Sequence, residues 1–268
     1  MTLTDQQLDR YARHIVLRHV GGAGQAKLLQ SHVLLVGAGG IGCPAIQYLA
    51  AAGIGTISVV DDDVVSLSNL HRQILYGEAQ IGQPKVEAVA QAVARLNPDI
   101  AFRPLQQRID AHTSAAILDG VDVVIDGSDN FATRLRVADM CLAARVPLVS
   151  SAIVQFHGQI GTFTGWMDDA PCYRCFVGDA HDSDDCDNCV SMGVLGAACG
   201  LMGSFAAMEA IRWLTGFGEE QKGKLHIFDG LKPAMRTIRL PKDPECSSCS
   251  SINDVTRRHD ETTMSDRV

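Results

Sequence analysis

The sequence lacks an apolar run long enough for a secretory signal or a membrane span. Its first 18 residues are mixed polar and charged, which is not the pattern of a signal peptide. The candidate membrane segment, Gly193–Met208, has 16 uncharged residues, whereas a spanning helix needs about 20. We interpret this segment as a buried helix, predict no contact with a membrane and expect a cytoplasmic location.

Positive charge is also in short supply. The chain has 23 Lys and Arg residues against 31 Asp and Glu residues, a net charge of −8, which argues against general affinity for nucleic acids or acidic membranes. An anionic substrate must therefore meet local basic residues. Internal repeats and low-complexity segments are absent, and 46% hydrophobic with 20% charged residues is typical of a globular chain.

The stretch VLLVGAGGIG predicts a strand that runs into a glycine-rich turn and a helix. Val33–Val36 are apolar and favour a buried strand. Gly37, Gly39 and Gly42 form a GxGxxG pattern, which allows a tight turn and a close approach of the backbone to a phosphate. The helix that is predicted to begin near Ile41 would favour an anion at its N-terminus. A nucleotide is the first candidate ligand.

A second predicted strand, Thr56–Val60, ends at an acidic residue. Asp61 follows Gly42 by 19 residues, close to the position at which dinucleotide-binding folds place an acid on a ribose hydroxyl. Strand, motif, helix, strand and acid in this order favour nucleotide binding over a purely structural βαβ unit. They leave the identity of the nucleotide open.

Strands and helices alternate through the first 150 residues or so, which predicts an α/β fold with a doubly wound, mainly parallel, Rossmann-like sheet. The further strands are predicted at Ile100–Leu105, Val121–Ile125 and Pro147–Ser151, and the helices at residues 4–20, from Pro84, and at Phe131–Ala144. We expect Gly21, Gly22 and Gly24 to end the first helix.

From Gly158 onward the pattern changes. The segments GQIGTFT, KLHIFDG and AMRTIRL alternate like antiparallel strands. Between them lies a predicted helix in which Gly196, Gly200 and Ser204 recur every four residues, which suits either an internal contact or a dimer interface. We expect one domain over 1–249, with a nucleotide-binding part at about 30–155, a second part at about 156–249 that contains the CxxC cysteine pairs, and a mobile tail at 250–268.

A group of polar residues favours ATP over NAD as the nucleotide. Arg72, within Ser68–Gln73, and Lys85 can offset the charge of a triphosphate, and Asp129 can bind Mg²⁺. Lys85 lies in the first turn of its predicted helix, where a cation opposes the helix dipole, and a bound phosphate would explain it. Taken singly, the two cations could be surface residues and Asp129 a turn former.

Six of the nine cysteines occur in three CxxC pairs, Cys172/Cys175, Cys186/Cys189 and Cys246/Cys249. Without a secretory signal, this pattern favours thiolate metal ligands in a reducing compartment over disulfides. A tetrahedral zinc site needs four ligands, and spacing alone does not choose between the pairs. The other cysteines, Cys43, Cys141 and Cys199, lie in apolar predicted helices and are expected in the core.

The motifs GAGGIG, DxDxVxLSNLxRQ, GQPK, SDN, PCYRC and a closing CxxC occur in this order between about Asp5 and Cys249. Together they resemble the MoeB/ThiF/HesA family of ubiquitin-activating-like adenylyltransferases. The resemblance implies that ATP adenylates the C-terminal glycine carboxylate of a small ubiquitin-like sulfur carrier and that pyrophosphate is released. The carrier, ending in Gly-Gly, would supply sulfur for molybdopterin, thiamine or a similar product.

The resemblance also implies roles for single residues. Asp61 would contact the ribose, and Arg13 would reach the phosphates of the ATP bound by the partner subunit of a homodimer. The implied nucleotide and magnesium site comprises Gly37, Gly39, Gly40, Gly42, Asp61, Asp63, Ser68, Asn69, Leu70, His71, Arg72, Lys85, Asp129 and Asn130, with Mg²⁺ on Asp129. The implied zinc ligands are Cys172, Cys175, Cys246 and Cys249.

Several points remain open at this stage. Cys189 aligns with a cysteine that thiamine-type members use in sulfur transfer, but the neighbouring aspartates disfavour its thiolate. His71 stands where many relatives have glutamine, and the acidic stretch 179–187 leaves the identity of the carrier open. We expect a separate sulfurtransferase or cysteine desulfurase as the sulfur donor. The alternatives are a nicotinamide-dependent oxidoreductase and a catalytically inactive scaffold that binds the carrier.

Overall fold

One eight-stranded sheet runs through the computed structural model, which describes residues 3–178 and 193–250. The strands are β1 (His32–Val36), β2 (Thr56–Val60), β3 (Ala101–Leu105), β4 (Val123–Asp126), β5 (Leu148–Val154), β6 (His157–Phe163), β7 (Lys224–Asp229) and β8 (Ala234–Arg239). Their order in the sheet is β3-β2-β1-β4-β5-β6-β7-β8.

The sheet changes from parallel to antiparallel at β5. Strands β3, β2, β1, β4 and β5 pair in parallel, whereas β5 to β8 pair in antiparallel fashion. The predicted fold class is therefore confirmed. Pro104 lies in β3, at the edge of the sheet, where the missing N–H of a proline is tolerated.

Helices cover both faces of the parallel half. They are α1 (Asp5–Arg10), α2 (Ala12–Ile15), α3 (Gly21–Gln30), α4 (Gly42–Ala52), α5 (Lys85–Leu96), α6 (Phe131–Ala144), α7 (Tyr173–Val177) and α8 (Gly196–Thr215). Neighbouring residues of β1 point to opposite faces, so Leu35 joins a core with Ile46 of α4 and Met202 of α8, while Leu34 joins a second core with Val137 of α6. Among the described residues, no helix is long and apolar enough to cross a membrane.

The predicted helix over residues 4–20 is wrong beyond Ile15. The cap at Thr4 is present, since its side chain accepts a hydrogen bond from the N–H of Gln7 at 3.2 Å. Tyr11 interrupts the helix because its side chain is buried, and its hydroxyl accepts a hydrogen bond from Asn97 at 2.8 Å. The chain turns at that point into α2.

The glycines that were expected to end this helix instead begin α3. Gly21 has a φ of +61° and starts the new helix. A Cβ atom at Gly24 would lie 3.0 Å from Val20 and 3.6 Å from Thr215 at the end of α8. The small residue at this position therefore lets α3 pack closely against α8, which sequence spacing alone did not indicate.

Gly53 tolerates no larger residue in this packing, and we expect Gly53→Ala to destabilise the fold by about 2–5 kcal/mol. It ends α4 with a φ of +83°, and an added Cβ would lie 2.5 Å from the Tyr11 ring. Left-handed backbone costs an L-residue about 1–2 kcal/mol, and overpacking adds about 1–3 kcal/mol. Urea unfolding of the variant would measure the loss.

The matched control for this prediction is Gly77→Ala, because Gly77 has a φ of −127° and nothing within 4 Å of an added Cβ. Equal stabilities of the two variants would contradict the argument.

Candidate functional site

The glycine turn, residues 37–42 between β1 and α4, has exposed backbone and little side-chain cover where a ligand would approach it. A Cβ at Gly42 would lie 2.0 Å from the carbonyl oxygen of Gly37, so the turn requires glycine there. At Gly39 the nearest atom to an added Cβ is Nε2 of Gln73, at 3.7 Å. Within residues 3–178 and 193–250, no side chain caps the N-terminus of α4. The turn thus offers open backbone and the positive end of a helix, which suits a phosphate.

Asp61, directly after β2, fastens this turn. One carboxylate oxygen accepts the N–H of Ala38 at 2.7 Å, and the other accepts the N–H of Asp63 at 2.9 Å. Burial raises the pKa of Asp61, while the charge of Lys85 and the two N–H donors lower it. The predicted ribose acid therefore lies beside the glycine turn, with part of its hydrogen-bonding capacity used within the chain.

Lys85 is buried at the start of α5, with only 4% of its surface exposed. Its Nζ lies 2.7 Å from Asp63 and 3.9 Å from Asp61. These two carboxylates offset the unfavourable helix dipole, so the structure adds a second explanation for Lys85 beside the bound phosphate expected from the sequence. The pair also brings Lys85 to the same end of the sheet as the glycine turn.

The Ser68–Arg72 segment folds back on itself beside the turn. Arg72 donates to the carbonyl oxygen of Ser68 at 3.1 Å and to the side chain of Asn69 at 2.9 Å, and it lies 2.9 Å from Nε2 of His71. A Cβ at Gly40 would lie 3.4 Å from Arg72. The guanidinium of Arg72 is thereby held near the turn. Ser68 and Asn69, which were predicted as site residues, accept its hydrogen bonds.

Leu70 has a different environment. Its side chain packs against the larger core and is part of what holds the Ser68–Arg72 segment to the fold. A contact between Leu70 and a nucleotide would therefore involve its backbone.

The segment after β4 meets the glycine turn from the other side. A Cβ at Gly37 would lie 3.2 Å from the carbonyl oxygen of Gly127. Asp129 is exposed, whereas Asn130 caps α6 by accepting the N–H of Thr133 at 2.9 Å. The structure thus brings Asp129 to this end of the sheet and gives Asn130 a structural contact.

Three residues near the site were missed or assigned only to the core. Gln73 is buried, its Oε1 has no hydrogen-bond partner among the residues that the structure describes, and its Nε2 faces Gly39. Cys199, expected in the core, is buried but lies 3.0 Å from an added Cβ at Gly40. Asp126, at the end of β4, is fully buried. In the sequence, Asp126 could have been identified as a site residue because it lies two residues before the SDN motif.

Four cysteines come together next to Leu142, near the C-terminal end of α6. The Sγ atoms of Cys172, Cys175, Cys246 and Cys249 all lie within 4.8 Å of one another. Three of the contacts are 3.7, 3.6 and 3.5 Å, close to the separation of about 3.8 Å expected for sulfurs bound tetrahedrally at about 2.3 Å from zinc. The structure thus brings the first and third CxxC pairs together, whereas Cys186 and Cys189 lie outside the described residues.

The thiols of this cluster do not titrate alike. Hydrogen bonding from Cys172, opposed by burial, lowers the pKa of Cys175 to about 5, whereas burial and the neighbouring thiols raise the pKa of Cys249 to about 12. The donor set and its spacing fit a structural metal ion with no open coordination position.

Among the predicted nucleotide-site residues that the structure describes, Arg13 is the one that its own chain does not bring to the turn. Its helix, α2, follows Tyr11, which packs on Gly53 at the far end of α4 from the glycine turn. The 11 residues of α4 separate these ends by about 16 Å. The exposed side chain of Arg13 therefore lies towards the opposite edge of the sheet from Gly39.

Comparison with known proteins places this geometry in a family. A model described as the ThiF family matches residues 11–248. The chain is 42% identical over 260 residues to the SAMP-activating enzyme E1 of Haloferax volcanii, covering 95% of each chain. It is 43% identical over 247 residues to the molybdopterin-synthase adenylyltransferase of Escherichia coli, covering 92% of this chain and 98% of that one.

Two further comparisons extend this result. The adenylyltransferase and sulfurtransferase MOCS3 of Anopheles gambiae is 40% identical over 256 residues, which are 95% of this chain and 58% of that protein. A crystal structure of Escherichia coli MccB with ATP has the same fold, with a TM-score of 0.77 at 23% identity over 90% of this chain and 74% of that one. The predicted enzyme class, adenylyltransferase, is confirmed by these relatives, and the chain belongs to the ThiF family.

Proposed function

We propose that this protein transfers AMP from ATP to the C-terminal carboxylate of a ubiquitin-like sulfur carrier that ends in Gly-Gly. The observation that carries the proposal is the arrangement of two cations, Arg72 and Lys85, and one exposed carboxylate, Asp129, around the bare glycine turn at Gly39. The names of the relatives, a SAMP-activating enzyme and a molybdopterin-synthase adenylyltransferase, support the same class of substrate.

The reaction needs alignment and charge neutralisation more than acid–base chemistry. A carboxylate oxygen of the carrier attacks the α-phosphorus, the bond to the bridging oxygen breaks, and pyrophosphate leaves. The attacking carboxylate is already ionised, so no general base is required, but it is repelled by the negative charge of ATP. Arg72 and Lys85 reduce this repulsion, while the open backbone at Gly39 admits the phosphates.

Asp129 fits the role of a magnesium ligand. Its carboxylate is exposed at the turn, and Mg²⁺ prefers carboxylate and phosphate oxygens. The ion would neutralise charge on the departing pyrophosphate. Asp61 remains the ribose contact in this proposal, because it lies beside the turn and is partly exposed.

The proposal predicts that Asp129→Ala lowers carrier-dependent ATP–pyrophosphate exchange by about 100-fold or more, a loss typical of removing one electrostatic contact to the reacting charge. Purified protein would be assayed with Mg²⁺ and with carriers of the molybdopterin and thiamine types. Asp119→Ala, which removes an exposed turn carboxylate, is the matched control and should keep its activity. The absence of exchange with every carrier would favour the inactive scaffold.

The four-cysteine cluster is proposed to bind one zinc ion that joins the end of the chain to its middle. We predict that Cys249→Ser lowers the bound zinc below one ion per chain and lowers the unfolding midpoint by at least about 4 °C, which corresponds to a loss of at least about 1–2 kcal/mol in a chain of this size. Mass spectrometry of the metal content and thermal unfolding would test this.

The control for the zinc prediction is Cys141→Ala, which removes a buried thiol outside the cluster. Full zinc content in Cys249→Ser would contradict the assignment.

We further propose a homodimer in which Arg13 completes the site of the partner subunit. The position of Arg13 towards the opposite edge of its own chain supports this, as does the exposure of the apolar side chains that follow it. Val16 is 75% exposed and Leu17 is 52% exposed, so a second copy would remove both from water.

A mixing experiment tests the role of Arg13. Arg13→Ala and Asp129→Ala should each be inactive alone, yet mixed dimers would carry one intact site, so random pairing should restore about a quarter of the native activity. Co-expression of the two variants, without selection for mixed dimers, would supply the mixture. Lys85→Ala mixed with Asp129→Ala is the control and should restore nothing. No recovery in the first mixture would show that Arg13 does not act across a dimer.

A further inference from the structure

Arg134 of α6 lies at the centre of a buried polar network that the roles above do not use. Its Nη1 donates to Asp126 and to the Ser150 hydroxyl, both at 3.3 Å. Its Nη2 donates to the carbonyl oxygen of Ser151 at 3.1 Å and to that of Ser128. The guanidinium therefore ties the end of β4 and the middle of β5 to the segment that carries Asp129.

Asp126 holds the same segment from the other side. Its carboxylate accepts the N–H of Ser128 at 3.0 Å and the Ser128 hydroxyl at 2.6 Å. With the contact from Arg134, the N–H, the hydroxyl and the carbonyl of Ser128 all have partners. On the other side of Asp129, Asn130 is fixed as the cap of α6. Asp129 thus has an exposed side chain between two immobilised neighbours.

Burial of this network costs desolvation free energy, because its charged side chains are almost inaccessible to water. The side chains of Arg134 and Asp126 are 10% and 1% exposed. Tyr173, next to the zinc ligand Cys172, is also buried and interacts with Arg134 and Ser150. Apolar side chains could fill this space at similar or lower cost, so stability alone is a weak reason for an ion pair here. A paired guanidinium with several acceptors does, however, define one geometry.

We propose that Arg134 is a positioning residue for adenylation, which acts by fixing Ser128 so that the carboxylate of Asp129 faces the nucleotide in the geometry that binds Mg²⁺. The inference rests on the proposed function, in which Asp129 is the magnesium ligand. Partners of metal ligands commonly set metal affinity, and their loss costs about 10–100-fold.

The Mg²⁺ dependence of ATP binding, measured by titration calorimetry, tests this without a measurement of turnover. We expect Arg134→Lys, which keeps the charge but not the planar set of donors, to raise the half-saturating Mg²⁺ concentration by about tenfold or more. Asp129→Asn should raise it as well. Because Arg134 acts through Asp129, the double variant should show no greater rise than Asp129→Asn alone.

Two controls separate positioning from stability. Arg212→Lys alters another partly buried arginine, paired with Glu209 at 3.1 Å in the C-terminal part of α8, and should leave the Mg²⁺ dependence unchanged. If Arg134→Lys fails to fold, Asp126→Asn/Arg134→Gln, which removes both charges together, takes its place with the same expected rise.

The possible failures are distinguishable. A lower unfolding temperature with native Mg²⁺ dependence in Arg134→Lys would overturn the positioning role while leaving the proposed function intact. The positioning role would also be overturned if the double variant raised the half-saturating Mg²⁺ concentration by the product of the two single effects. Native Mg²⁺ dependence in Asp129→Asn would overturn the magnesium assignment and this inference with it.

Discussion

The close contact between α8 and the glycine turn is the constraint on which the site depends. A Cβ at Gly203 would lie 2.2 Å from the carbonyl oxygen of Ile41, and one at Gly196 would lie 2.3 Å from that of His71. Only glycine allows a helix to approach backbone so closely. Because of these two contacts, α8 supports both the turn and the segment that carries Arg72, and the distance between them is set by backbone rather than by flexible side chains.

Electrostatic pairing is the second constraint, because buried positive side chains lie next to carboxylates. Lys85 lies between Asp61 and Asp63, and Arg134 lies against Asp126, so both buried cations of the described residues have a carboxylate partner. Such pairs offset the cost of desolvation and fix directions, although they add little net stability. The result is a chain that is acidic overall and still presents cations where a polyanionic substrate would approach.

The parallel sheet, the glycine turn and the cysteine pairs were predictable because each depends on local pattern. Buried strands such as Val33–Val36 are continuous apolar runs, and GxGxxG reflects backbone geometry that few other residues allow. The N-terminal helix was predicted wrongly because what interrupts it is a distant contact, the burial of Tyr11 against Gly53 and Asn97. Spacing also could not tell which cysteine pairs meet, since Cys172 and Cys246 are brought together only by the fold.

The sequence by itself determined the class of chemistry, because Arg72, Lys85 and Asp129 are residue types that suit a triphosphate and its metal ion beside a glycine turn. Only the tertiary structure decided which of these side chains are fixed and which residues contact them. It paired Lys85 with carboxylates, surrounded Ser128 with Asp126 and Arg134, and placed Arg13 away from its own turn. The physical reason is that residue type specifies what a side chain can bind, whereas burial and direction arise from contacts between segments distant in sequence.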